Sequence, residues 1–285
     1  MKNNDDSLAL ISAAEVAPAA LHAAFGLAFA DYLIGPFNLA FAQWPGFLAR
    51  QGVDLGLSRV LQRAGQDEIL AFAFVAPRPA PRRWRLATMG AVPAARGSGA
   101  APRLLDDFIA RAAAAGQQGV ELEVFAQNER ALRLYQGRGF AARHALHGYL
   151  APTGVVEPAP GAARPVELAT ALAWLDAAEA RIPELPLQVT AGVLRVAQGL
   201  SAWQQGEAQL VFSRPDEATV AVASLIDPGP GQRDAQALLQ ALRAEFPQAS
   251  LRVPQLQRED LGGAALRALG AEPLPLHQLL MQRPL

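Results

Sequence analysis

Cysteine is absent from the 285 residues, and charged residues are few and nearly balanced in sign. Without cysteine the chain has no disulfide bond, no thiolate nucleophile and no cysteine-ligated metal site. Charged residues make up 18% of the chain with a formal net charge of −1, so no strong overall field attracts nucleic acid or a membrane surface. Apolar residues make up 51%, which is typical of a globular protein.

Long uninterrupted apolar runs and metal-ligand spacings are also missing. The N-terminus carries two acidic residues before its first apolar run, unlike a signal peptide. The most apolar stretch, 17–42, is interrupted by His22, Asp31, Pro36 and Asn38, which argues against a membrane span. The four histidines are scattered along the chain, so we expect no metal site. These absences predict a soluble, cytoplasmic protein.

Strand-like and helix-like segments alternate in the first half of the chain. Apolar residues at every fourth position from Leu21 to Leu33 predict a helix over 18–33, and a second helix is predicted over 39–51. A third helix begins near residue 100 and ends at Gly116. Its apolar face consists of Leu104, Leu105, Phe108, Ile109 and Ala112. The predicted strands cover 8–16, 58–64, 68–76, 84–92 and 119–126.

A segment rich in proline and glycine, 151–165, divides the chain. It contains four prolines and two glycines and has little apolar periodicity, which favours a linker. We therefore predict one domain over 1–150 and a second over 166–285. The second half repeats the order of the first, with strand 218–226, helix 232–246, strand 249–253, helix 258–269 and strand 276–282. This repetition predicts a diverged duplication, with convergence of two similar units as the alternative.

The turn before the third helix is crowded with small residues, in the stretch "AVPAARGSGAAPRLLDDFIARA" at 91–112. A helix N-terminus leaves backbone N–H groups unpaired and carries a partial positive charge, so it binds phosphate when no side chain blocks the approach. Gly97, Gly99, Ala100 and Ala101 keep the approach open, and Arg96 adds a guanidinium. The turn matches neither a P-loop nor a dinucleotide fingerprint. A plain strand-to-helix connection is the alternative.

Two motifs in order carry a resemblance to a known family. The first is R-x-x-G-x-A at Arg96, Gly99 and Ala101, and the second is "LEVFAQNERALRLYQGRGF", with Asn128 and Tyr135 in the expected places. Over about residues 84–141 the chain resembles the GCN5-related N-acetyltransferase (GNAT) superfamily, whose members bind acetyl-CoA and acylate amines. The resemblance implies an α/β (α+β) fold with a mixed, mostly antiparallel central sheet flanked by helices. It also implies two such domains in tandem, the second a degenerate copy.

The resemblance assigns the cofactor contacts residue by residue. Ala91 and Val92 would pair through their backbone with the pantetheine amides, and Asn128 would fix the cofactor near its pantetheine arm. Tyr135 would lie beside the sulfur as general acid for the departing thiolate. The diphosphate would be held by Arg96, Gly97, Ser98, Gly99, Ala100 and Ala101.

Chemistry agrees with the role of Tyr135. Amine attack on a thioester releases a thiolate, and a hydroxyl of pKa about 10 can protonate it. Tyr135 follows Asn128 by two helical turns, so both side chains could face one ligand. The alternatives are a tyrosine packed at a helix end and an asparagine that only caps the helix.

The proton that the amine must lose has several candidate acceptors. We take Glu123 as the possible base, with Glu121 on the same strand and with Asp31 and Tyr32 in the loop that often covers the acceptor. For Glu121 and Glu123 the alternative is a solvated strand residue. Desolvation and positioning of the amine could also suffice.

The second half departs from both motifs. Its turn, "DPGPGQRDA", has no R-x-x-G-x-G/A, and Leu266 falls where Tyr135 stands in the first half. We therefore expect no second catalytic site.

The leading hypothesis is an acetyl-CoA-dependent N-acetyltransferase without a metal, acting on a primary amine of a small molecule or peptide. The aromatic first helical region favours an apolar or aromatic amine. The alternatives are a non-catalytic acyl-CoA-binding or regulatory module and a scaffold that forms a homodimer through its second domain.

Overall fold

A computed structural model describes residues 8–63, 67–154 and 163–285. Residue 64 of the predicted strand 58–64 and residues 155–162 of the predicted linker lie outside these ranges. The described chain forms two compact units. The first contains Met1–Glu123, Arg133–Ala141 and Gln282–Leu285, and the second contains Val124–Leu132 and Ala142–Met281. The two units are therefore interleaved along the chain, and the domain boundaries at 150 and 166 remain a prediction.

The first half contains six strands and four α-helices among its described residues. The strands are β1 (Leu8–Ser12), β2 (Asp54–Arg63), β3 (Ile69–Arg78), β4 (Arg83–Ala91), β5 (Gly119–Phe125) and β6 (Ala141–Ala151). The helices are α1 (Pro18–Ala28), α2 (Trp44–Arg50), α3 (Ala100–Ala114) and α4 (Glu129–Gln136).

The sheet of the first unit is mixed and mostly antiparallel. β1 to β4 form an antiparallel meander with Leu10 opposite Leu61 and Phe72 opposite Gly90. β5 joins β4 in parallel, with Trp84 opposite Val120. This arrangement confirms the predicted fold class.

Both faces of β3 are covered by helices. Residues 69–76 of this strand are all buried, and α1 and α3 both contact it. Phe72 and Phe74 point into a core that contains Leu21 and Phe25 of α1. Gly90 lets α1 approach the sheet, because a Cβ at this position would come within 2.8 Å of Phe72 Cζ and 3.0 Å of Ala28 Cβ.

The first helix is shorter than its apolar period predicts. α1 ends at Ala28, and Phe29 has φ −112° and ψ 14°, which is outside the helical range. The next residues turn instead, since the Phe29 carbonyl accepts N–H groups from Tyr32 and Phe37. Leu33, placed on the core face by its spacing, is 42% exposed. The predicted helix over 18–33 is therefore wrong beyond residue 28.

The second half repeats the element order of the first. Its strands are β7 (Arg164–Val166), β8 (Leu200–Gln205), β9 (Ala208–Asp216), β10 (Thr219–Ile226), β11 (Ser250–Arg258), β12 (Glu272–Pro273) and β13 (Gln278–Pro284). Its helices are α5 (Leu168–Arg181), α6 (Ala191–Leu194), α7 (Arg233–Glu245) and α8 (Gly263–Ala268). In both halves four antiparallel strands, β1 to β4 and β7 to β10, precede a helix. A parallel strand follows the helix, β5 beside β4 and β11 beside β10. This order is what a duplication predicts.

The second unit has its own core. Leu238, Leu239 and Leu242 of α7 are buried against apolar residues of β9, β10 and β11. Within this unit β11 also pairs antiparallel with β6, with Val253 opposite Tyr149. None of the helices in the described residues is long and apolar enough to span a bilayer.

Candidate functional site

The turn that precedes α3 is open on its outer side. The chain leaves β4 at Ala91, makes a 3₁₀ turn over Pro93–Ala95 and enters α3 through Gly99. Gly97 and Gly99 have φ of 83° and 85°, a left-handed conformation that glycine adopts without strain. A Cβ built on either glycine meets no atom within 4 Å. The turn is thus free of blocking atoms, as the sequence predicts.

The start of α3 offers backbone donors to an anion. The first helical hydrogen bond runs from Arg103 N to Gly99 O at 3.1 Å, so the N–H groups of Ala100 and Ala101 precede the helical ladder. Pro102 has no N–H to contribute. The first turn of the helix contains no acidic residue. Ser98 is committed to the turn itself, since its Oγ donates to Ala95 O at 2.7 Å. The dipole of this fifteen-residue helix adds positive potential at the same point.

Arg96 is held by a carboxylate that lies 65 residues earlier in the chain. Its Nη1 and Nη2 donate to Asp31 Oδ2 and Oδ1 at 2.5 and 2.6 Å, and Nη2 also donates to Ala28 O at 3.2 Å. This hydrogen bonding lowers the pKa of Asp31 and raises the pKa of Arg96. The guanidinium therefore ties the turn to the segment after α1. Asp31, a candidate proton acceptor in the sequence, is an ionic partner in the structure.

The end of β4 leads directly into this turn. Ala91 lies opposite Ala71 of β3, and the N–H of Val92 donates to Leu70 O at 2.9 Å. The register recorded between β4 and β5 runs from Arg83 opposite Gly119 to Leu86 opposite Leu122. In that register residues 88–91 of β4 pair only with β3 among the described strands.

Tyr135 is a buried tyrosine at the end of α4. Its side chain is 8% exposed, and its ring centroid lies 5.9 Å from that of Phe140. Burial raises the pKa of the Tyr135 hydroxyl, and the charge of Tyr32 adds to this shift. The hydroxyl therefore stays protonated throughout the neutral range. The interaction with Tyr32, which follows α1, is a feature that the sequence did not predict.

Asn128 caps the helix that carries Tyr135. Its Oδ1 accepts the N–H of Ala131 at 3.2 Å, and its carbonyl accepts the N–H of Leu132. This is the capping role that the sequence left open as an alternative. A contact of Asn128 with a cofactor remains a prediction.

Both glutamates of β5 are buried in ion pairs, so their interpretation as solvated strand residues is wrong. Glu121 Oε1 lies 2.6 Å from Arg78 Nη1, and its Oε2 accepts Gln282 Nε2 at 3.3 Å. Glu123 Oε2 accepts Arg85 Nε at 2.7 Å and lies 2.6 Å from Arg85 Nη2. Both side chains of this second pair are 2% exposed.

One oxygen of Glu123 has no partner. Glu123 Oε1 is buried and accepts no hydrogen bond from the described residues. A buried carboxylate oxygen without a donor is costly, so it marks a position where a hydrogen-bond donor of a ligand would be stabilised. One signal in the sequence could have found these pairs: Arg85 lies inside the predicted strand 84–92, and Arg78 lies two residues beyond the predicted strand 68–76.

The corresponding turn of the second unit is closed by its own side chains. Asp227, which is 1% exposed, accepts the N–H of Gly229 on Oδ1 at 2.8 Å and that of Ala235, near the start of α7, on Oδ2 at 2.9 Å. Leu266, at the position that corresponds to Tyr135, is fully buried in the core.

The histidines serve in structural contacts. His22 bonds to Leu39 O at 2.7 Å, and His144 bonds to Glu184 at 2.8 Å. His147 stacks on His277 at 5.1 Å, and burial, together with His277, lowers the pKa of His147. Within the residues that the structure describes, no group of three metal-ligating side chains comes together.

Comparison with known proteins finds a family model that matches part of the chain. The model of the Acetyltransferase (GNAT) family matches residues 30–140. The solved GCN5-related N-acetyltransferase from Sphaerobacter thermophilus is 15% identical with a TM-score of 0.65, over 97% of this chain and 95% of that one. Another from Kribbella flavida is 14% identical with a TM-score of 0.60, over 100% of this chain and 73% of that one. These two similarities concern the fold. A comparison with curated proteins finds no match.

Proposed function

We propose that the protein transfers an acetyl group from acetyl-CoA to a primary amine, because residues 30–140 match the model of the GNAT acetyltransferase family. The observation that carries the proposal is the open start of α3. Its unpaired N–H groups, the two glycines with positive φ and the helix dipole suit a diphosphate. Bound acetyl-CoA would supply the acetyl group, activated as a thioester.

Arg96 has to change partners when a diphosphate binds. Its two terminal nitrogens already donate to Asp31, and the pair is partly solvated, with side chains 33% and 63% exposed. A phosphate oxygen can replace a carboxylate oxygen on the same guanidinium, because both accept charge-assisted hydrogen bonds. We infer that Arg96 binds the diphosphate in exchange for Asp31. Ala91 at the end of β4 would then offer backbone groups to the pantetheine arm. Val92 fits this role less well, because its N–H already donates to Leu70 O and its carbonyl accepts the N–H of Ala95, both at 2.9 Å.

Tyr135 and Glu123 have separate roles in the reaction: Tyr135 stabilises the departing sulfur, and Glu123 accepts the proton of the amine. As the amine nitrogen bonds to the carbonyl carbon and the C–S bond breaks, negative charge develops on sulfur. The Tyr135 hydroxyl donates a hydrogen bond to that charge. Full transfer of its proton is uphill, because the raised pKa of Tyr135 exceeds the value of about 8.5 for a thiol. The unpaired Oε1 of Glu123 is the candidate acceptor for the proton that the amine loses.

The test is acetyl-CoA-dependent thiol release over a panel of primary amines. Tyr135→Phe is expected to lower turnover about 10²-fold or more, the usual effect of removing a hydrogen-bond donor to developing charge, while CoA affinity by calorimetry changes little. Tyr149→Phe is the matched control, since Tyr149 is a buried tyrosine of the second unit whose hydroxyl donates to Glu259. Unchanged turnover in Tyr135→Phe would remove this residue from the mechanism.

A second variant tests the turn itself. Arg96→Glu places a negative charge beside the start of α3 and is expected to weaken CoA binding strongly. Calorimetry showing no loss of affinity would contradict the diphosphate site. Binding of CoA without thiol release from any amine would favour the non-catalytic acyl-CoA-binding module instead.

A further inference from the structure

An apolar pocket lies beside α1, within the first unit. Its volume is about 260 Å³, and its walls come from α1 and from the segment that follows the helix. It is lined by His22, Phe25, Gly26, Ala30, Pro36, Phe37, Asn38 and Leu39. The lining contains no acidic or permanently cationic side chain. An apolar cavity of about 150 Å³ already accommodates benzene, so this pocket has room for an aromatic ring with a short chain.

Several apolar side chains around the pocket are exposed to solvent. Phe37 is 36% exposed and Phe41 is 51% exposed, while Leu33 and Ile34 of the same segment are 42% and 49% exposed. Such a cluster on one short segment marks a surface that binds another apolar group. The segment thus presents apolar surface both inside the pocket and at its margin.

An aromatic row leads from the pocket to the segment that pairs with the turn before α3. The Phe25 ring, which lines the pocket, lies 4.8 Å from the Phe29 ring, and Phe29 lies 4.9 Å from Tyr32. Tyr32 is next in sequence to Asp31, whose carboxylate pairs with Arg96 of the turn before α3. The row therefore runs from the pocket to the residue beside that ion pair. The lining of the pocket, which contains no acidic side chain, offers no carboxylate to a second cationic group of the acceptor.

We propose that this pocket binds the apolar group of the acceptor, so that the substrates are monoamines carrying an aromatic ring or an alkyl chain. The proposal rests on the proposed function and names its substrate class. His22 and Asn38 supply polarity at the wall. Because a carbonyl only accepts, the bond to Leu39 O places a hydrogen on His22 Nε2. Burial of the acceptor's hydrocarbon then provides the selectivity.

A matched series of amines tests the substrate class on the full-length protein. Thiol release is measured with ethylamine, butylamine, 2-phenylethylamine and 1,4-diaminobutane. Each methylene that enters the pocket should raise kcat/KM about fourfold. Butylamine should exceed 1,4-diaminobutane, which has the same carbon chain with a second charge. Equal rates across the series, or preference for the diamine, would overturn the proposal.

Gly26→Leu tests the location. Gly26 lies inside α1 and lines the pocket, and a Cβ built there meets no atom within 4 Å, so a leucine can fill the space without a clash at its base. Leucine also favours the helix relative to glycine. The kcat/KM for 2-phenylethylamine should fall about tenfold or more, the scale on which a hydrophobic pocket discriminates, while that for ethylamine should change little. Ala19→Leu, on an exposed position of the same helix, is the control.

A binding measurement separates failure of this proposal from failure of the proposed function. The probe 2-phenylethanol has the same hydrocarbon and no amine, and its binding to the protein can be followed by ligand-observed NMR. Binding that Gly26→Leu abolishes and Ala19→Leu preserves supports the pocket even if no amine releases thiol. If Gly26→Leu leaves thiol release from 2-phenylethylamine unchanged, the pocket is not the acceptor site. The proposed transferase activity would then still hold.

Discussion

Removal of the Arg85 guanidinium should destabilise the first unit more than any loss of a surface ion pair. Arg85 and Glu123 are each 2% exposed, and their shared hydrogen bond is 2.7 Å long. Arg85 also donates to the carbonyl and side-chain oxygens of Gln51 at the end of α2, both at 3.3 Å. Arg85→Met keeps an unbranched chain of similar length. It leaves the Glu123 carboxylate buried, with neither oxygen paired to a cation.

The magnitude follows from the burial. Deleting one partner of a buried pair costs about 3–5 kcal/mol, because the charge that remains is uncompensated. A partly exposed pair contributes about 0–1 kcal/mol. Arg138→Met is the matched control, since Arg138 pairs with Asp106 with side chains 24% and 59% exposed. The double variant Arg85→Met/Glu123→Leu removes both charges, and it should recover most of the loss.

Urea denaturation with hydrogen exchange of peptides from β3 and β4 measures the free energy of unfolding of the first unit. A loss below about 1 kcal/mol for Arg85→Met would refute the reasoning, as would a double variant whose loss equals the sum of both single losses. The double variant should also have reduced turnover, because it lacks the Glu123 carboxylate proposed as base. We therefore expect the double variant to recover most of the free energy of unfolding but not the turnover.

Two further variants test the turn before α3. Gly99→Val forces a β-branched residue to φ 85°, which should lower the free energy of unfolding by about 1–2 kcal/mol and weaken CoA binding. If denaturation and calorimetry show no change, the turn relaxes to accept the valine. Asp31→Asn should tighten CoA binding in calorimetry, because Arg96 no longer exchanges a carboxylate, whereas Asp107→Asn in the pair with Arg111 should not. Weaker binding in Asp31→Asn would show that the pair positions Arg96 for the ligand.

Local patterns in the sequence predicted local structure well. The apolar face of α3 and the turn with its two glycines lie where the sequence indicates, because helical periodicity and positive φ depend on neighbouring residues. The end of α1 was missed, since apolar residues continued the period into a turn that buries some of them elsewhere. The contacts of Asp31 with Arg96 and of Arg85 with Glu123 join residues far apart in sequence. No local period encodes such pairs.

The two similar turns differ in where a negative charge comes from. In the second unit the N–H groups before and within the first turn of α7 already bind Asp227, a buried carboxylate of the protein. A phosphate there would have to displace it and would be repelled by its charge. In the first unit the start of α3 has glycines and alanines. Its nearby carboxylate, Asp31, binds the partly exposed side chain of Arg96 and not the backbone N–H groups of the helix start. The start of α7 is thus bound by a carboxylate of the protein itself, whereas the start of α3 is the site at which we propose that a diphosphate binds.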